Sequence, residues 1–219
     1  AAREMAKAGE RTYTIARVQS APDRKAWRGI KPLPIERRGQ PVKGRTRLAY
    51  DEEALYARFE VNDPNPWKNA GKDFTRLFKT GDAVDIQLSP TANAKRQPAG
   101  GDLRVVLAPF AEKPVAVLMR PKAPDAPEGD KVVYHSPVFD KHFDQVALVD
   151  AAQVEVQRHG NRYTVTARVP WAAIGITPEA GKTLRGDVGF ILSDEAGTIN
   201  TARVYWSNKM TNLVNDLPS

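Results

Sequence analysis

The chain has 219 residues, 41% of them hydrophobic, a net charge of +7 and no cysteine. Disulfides, thiolate metal sites and cysteine nucleophiles are therefore excluded. The size fits one domain over 1–219 with a single core, and no run of about 18 apolar residues is present to cross a membrane.

Residues 1–10 read as helical or frayed, and AAREMAKAGER lacks the apolar centre of a signal peptide. Thr12–Val18 (TYTIARV) reads as a strand. Ala21–Gly44 reads as loop, because Pro22, Pro32, Pro34 and Pro41 remove ladder donors; Trp27 is placed to plug a sheet from it. Thr46–Tyr50 and Ala54–Val61 flank the polar turn Asp51-Glu52-Glu53 and form a hairpin. In the second of them Leu55, Ala57, Phe59 and Val61 alternate with Tyr56, Arg58 and Glu60, the period of a strand with one buried face.

Asn62-Asp63-Pro64 ends that strand and opens a long polar loop to Gly81 that carries Trp67. Loops of this length are uncommon in compact domains and often functional, so Trp67 is either a candidate ligand platform or a ring folded back to cap the sandwich. Strands follow over Asp82–Leu88, Leu103–Ala108 and Val115–Arg120, with PKAPDAPEGD a Pro/Gly-rich connector and a strand near Val132–Ser136. Val154–Arg158 and Arg162–Val169 flank His159-Gly160-Asn161, the clearest hairpin in the sequence. Pro170-Trp171 ends it in a short helical turn, with Trp171 expected in the core; Val188–Ser193 and Thr201–Trp206 are the last strands. Ten to twelve strands with little helix predict an all-β antiparallel sandwich, jelly-roll or immunoglobulin-like.

The densest basic clusters, Glu36-Arg37-Arg38 and Lys43–Arg47, lie among prolines and glycines without a nucleic-acid motif. They read as a basic soluble surface, with no nucleic-acid partner. There is no nucleophile elbow, metalloprotease helix, phosphate loop or dinucleotide fingerprint, and His135, His142 and His159 lack zinc-ligand spacing. The reading is non-catalytic. Asp85 opposes Val84 and Ile86 on its strand and so lies on a wet or groove-lining face. Arg104, in an otherwise apolar strand, needs a partner, and Asp85 and Asp82 are the candidates.

Five pieces, LAYDEEALYARFEVNDPNPW, GDAVDIQL, YTVTARVPWAAIG, GDVGFILSD and YWSN, resemble in order and spacing the family 9 carbohydrate-binding modules and their relatives in the DOMON-like sandwich group. The resemblance covers about residues 46–208 and implies a β-sandwich that binds poly- or oligosaccharide. In the family, sugar is gripped between two tryptophans and its hydroxyls are bonded by carboxylate, amide and arginine. Apolar sugar faces suit aromatic faces and hydroxyls suit planar polar groups. By resemblance Asp85 is the carboxylate and Arg104 the arginine. Lys79 stands where the first stacking tryptophan is expected, and Val214 where the second is. Trp67 remains as the loop aromatic, and Trp206 with Asn208 marks the C-terminal side of the site. Some family members hold calcium, which makes Asp63, Asp73 and Asp82 candidate Ca2+ ligands. The alternative within the wider group is a haem b electron-transfer domain, with Met119 and His135, His142 or a lysine as axial ligands. A third alternative is a structural or interaction module with no sugar ligand. The resemblance also implies an extracellular or periplasmic module tethered to other domains of a longer protein.

Overall fold

The structure, a computed structural model, describes residues 11–37, 42–90, 97–137 and 140–207. Among these are fourteen strands: β1 (Ala16–Arg17), β2 (Leu33–Glu36), β3 (Lys43–Tyr50), β4 (Ala54–Asn62), β5 (Ala83–Ser89), β6 (Leu103–Phe110), β7 (Lys113–Arg120), β8 (Val132–His135), β9 (Asp140–Phe143), β10 (Gln145–Leu148), β11 (Gln153–Arg158), β12 (Arg162–Pro170), β13 (Arg185–Ser193) and β14 (Asn200–Tyr205). Three short helices, α1 (Arg24–Gly29), α2 (Leu77–Thr80) and α3 (Trp171–Ile174), accompany them. The expectation for residues 1–10 lies outside the described residues.

The strands build an all-β sandwich of two six-stranded sheets. The first runs β1-β3-β4-β12-β11, with β2 also paired to β3; the second runs β10-β7-β6-β5-β13-β14; β8 and β9 form a small separate hairpin. All pairings but one are antiparallel; β1 alone runs parallel to its partner, β3. Only Ala16–Arg17 of the predicted first strand pairs, and the predicted loop after it contains α1 and β2.

Alternation decides which residues fill the sandwich. Leu55, Ala57, Phe59 and Val61 of β4 meet Val84, Ile86 and Leu88 of β5 in one core with Tyr163, Val165, Phe190 and Leu192. The outer faces differ. On the second sheet α2 and the β8–β9 hairpin lay Leu77, Phe78, Tyr134 and Phe143 over Val106, Val117, Met119 and Ile191. Hence every residue of β5 is buried, where a wet or groove-lining outer face was expected. On the first sheet α1 covers one corner, with Trp27 and Ile30 packed on Ala49, Ala54 and Tyr56. The rest of that outer face is polar. At the rim, Arg11 Nη1 donates to the Trp206 carbonyl at 2.6 Å.

Candidate functional site

The outer face of the second sheet carries a buried polar cluster. Strand pairing sets Asp187 (β13), Gln87 (β5), Arg104 (β6) and Met119 (β7) in one row, and Gly189, Asp85 and Val106 in the next. Arg104 donates from Nε and Nη2 to Asp85 Oδ2, at 3.2 and 2.5 Å. Both side chains are withdrawn from water, at 5% and 0% exposure. This is the partner that Arg104 was expected to require. The Phe78 ring of α2 lies 5.2 Å from the guanidinium carbon.

Tyr205, from β14, completes the cluster and was not legible as a member of it. Its hydroxyl accepts from Arg104 Nη2 at 3.0 Å and donates to Asp85 Oδ2 at 2.7 Å. Burial pushes its phenol well above the ordinary value, so the donated proton stays in place. The ring reaches Asp85 by crossing Gly189, where a Cβ would stand 2.2 Å from Tyr205 Cδ1. The pattern Asp187-x-Gly189-x-Ile191 against Val188, Phe190 and Leu192 was the available signal: a glycine amid an outward-facing row marks a close approach. Asp187 accepts from the Ser207 hydroxyl and N–H. Burial pushes its carboxyl up to about 6, and the Asp85 charge adds to the rise.

Two polar atoms of this cluster, Asp85 Oδ1 and Gln87 Nε2, are buried without a hydrogen-bond partner. Buried polar atoms are normally bonded, so such a pair calls for an explanation. A hollow of about 10 Å³, room for about one water, borders Gln87, Arg104, Met119 and Phe143.

The other expected site residues disperse. Trp67 is 3% exposed, in the core between the sheets, with its ring 5.2 Å from Tyr163. It closes one end of the sandwich and is not an open platform. Trp206 packs partly buried against the same core, on the opposite side of β14 from Tyr205. Lys79 of α2 lies with Nζ 5.8 Å from the Phe78 ring centre and 5.4 Å from that of Tyr134, so it borders the cluster through Phe78. Asn208 and Val214 lie outside the described residues. Trp171 and Trp27 are core, as expected, and Trp171 Nε1 donates to the Asp51 carbonyl at 2.9 Å.

The three aspartates expected to hold calcium each have partners within the fold. Asp82 Oδ1 accepts from the N–H and hydroxyl of Ser193, and Oδ2 from the Lys68 N–H. Asp73 instead caps the turn at Phe74 through Thr75 and pairs with Arg76. Only Asp63 Oδ2 is unbonded, whereas calcium takes six to eight oxygens. Among the described residues no three acidic or histidine side chains gather as a metal site. Burial pushes Asp82 up to about 7, against the bonds from Lys68 and Ser193, and the nearby Asp63 charge adds to the rise. Of the ligands named for a haem, Met119 is fully buried while His135 and His142 are exposed.

No protein-family model matches the sequence, and no curated protein matches it. The fold is similar to that of family 9 carbohydrate-binding modules. One such module from Caldicellulosiruptor kristjanssonii, solved with glucose, superposes with a TM-score of 0.52 at 12% identity, covering 88% of this chain and 83% of that one. The same kind of module from that organism, solved with cellotriose, gives a TM-score of 0.55 at 14% identity, covering 88% and 82%.

Proposed function

We propose that this chain is a non-catalytic carbohydrate-binding module that takes a neutral saccharide on the outer face of its second sheet. The observation that carries the reading is the Asp85–Arg104 pair with two buried atoms left over, Asp85 Oδ1 to accept and Gln87 Nε2 to donate. A sugar hydroxyl does both at once. The likeness of the fold to modules solved with glucose and cellotriose supports the same ligand class. The hollow admits no sugar ring as it stands, so binding requires the β8–β9 cover, including Phe143, to swing away, as segments do in a minority of complexes. An extracellular or periplasmic setting, within a longer protein, accords with that role.

Titration calorimetry with glucose, cello-oligosaccharides and a panel of neutral glycans tests this. Binding is expected for at least one, and Gln87→Leu is expected to weaken it about tenfold, about 1.4 kcal/mol, with an unchanged melting temperature. A module that only positions its neighbours would bind none of them, and that result would sink the proposal.

A further inference from the structure

The outer faces of the two sheets differ: the second is covered by α2 and the β8–β9 hairpin, whereas the first is polar and largely open. On the outer face of the first, strand alternation turns Lys43, Arg45, Arg47, Arg58, Arg162 and Arg168 outward, against Glu36, Glu60 and Glu155. Exposed Arg24, Lys25 and Arg28 of α1 extend the basic surface at one corner. Arg47 stands directly opposite Arg58 in the β3–β4 register, an arrangement that repels unless an anion lies between.

That anion is Glu60. Arg45, Arg47 and Arg58 all pair with its carboxylate. Although burial works the other way, the hydrogen bond from Arg45 and the three nearby guanidinium charges hold Glu60 below the ordinary value. Three guanidinium groups around one carboxylate leave an excess of two positive charges and of N–H donors. Arg47 Nε spends one donor on the Ile30 carbonyl and Arg58 Nη1 one on the Thr166 hydroxyl, at 3.0 and 3.2 Å.

We propose that this face binds a uronate-bearing polysaccharide, its carboxylates seated among the arginines as the Glu60 carboxylate is. Guanidinium forks match carboxylates bidentately, which ammonium groups do not. The strands set neighbouring cations about 5 Å apart across the sheet and about 7 Å apart along it, a flat lattice suited to an extended anionic chain. Among the described residues the face offers no aromatic for base stacking: the tyrosine on it, Tyr56, is buried under α1. Single-stranded nucleic acid depends on such stacking. The face lies on the other sheet from Asp85 and Gln87, so this inference stands apart from the neutral-sugar site.

Affinity electrophoresis and calorimetry of the purified chain against polygalacturonate, with cellulose oligomers and duplex DNA alongside, test it. Polygalacturonate is expected to bind at low salt and to weaken as salt screens the exposed charges. Arg45→Gln with Arg58→Gln should weaken it at least tenfold and leave any neutral-oligosaccharide binding unchanged. Glu60→Gln, which frees the three arginines, should tighten it several-fold. No binding of polygalacturonate would overturn the proposal, as would DNA binding of equal strength or a Glu60→Gln variant that binds no better. Loss of neutral-sugar binding alone would count only against the Asp85 site.

Discussion

Gly189 holds the polar cluster together by lacking a side chain. With the Tyr205 ring laid across it, an added methyl would stand 2.2 Å from that ring. Gly189→Ala is expected to push Tyr205 off Asp85 at a cost of about 1–3 kcal/mol, the usual range for overpacking, read from the urea midpoint. Removing one partner of a buried ion pair is costlier. Arg104→Ala strands the Asp85 carboxylate at 0% exposure and should destabilise by about 3–5 kcal/mol. Arg104→Lys should rescue little, since two guanidinium nitrogens converge on one oxygen. The Asp85–Arg104 pair was legible because an arginine amid Leu103, Val105 and Val106 demands a partner. Trp67 could not be decided from the sequence, because a loop tryptophan after two prolines looks the same whether it caps a core or meets a ligand. Its backbone at φ +60° leaves no mark in the sequence.

The long alternating strands could be read from the sequence and the short ones could not. β4, β5 and β12 announce themselves by period two, and both hairpins appear where their turns predicted. β2 was hidden by Pro34, which an edge strand tolerates because its missing N–H costs no ladder bond. β9, the four residues Asp140–Phe143, buries only Phe143 and so shows no alternation. α1 is too short for a helical period, yet its start was written at Asp23, whose carboxylate accepts from the Ala26 N–H at 2.7 Å. Asp23→Ala is expected to cost about 0.5–2 kcal/mol, seen as a lower melting temperature, by loosening the Trp27 cover over Ala49 and Tyr56.

The whole molecule should be more stable in mild acid than at neutrality. Asp82 and Asp187 sit at about 7 and about 6 in the folded chain against 3.8 unfolded. Between about pH 4 and 7 the folded state therefore holds more protons than the unfolded one, and stability falls as pH rises through that window. Asp51, Glu60 and Asp194, held below their ordinary values, act in the opposite sense but only in stronger acid. The melting temperature should accordingly be higher at pH 5 than at pH 8, and Asp63→Asn, which removes the like charge beside Asp82, should flatten the difference. The contact of Arg11 with the Trp206 carbonyl, 195 positions away, has a topological meaning. Chain leaving one end of the sandwich sets out beside chain leaving the other, so a bridge between them closes a small gap, with little loop-closure entropy to overcome. A circular permutant reopened at the exposed Gly160–Asn161 turn should then keep every strand pair.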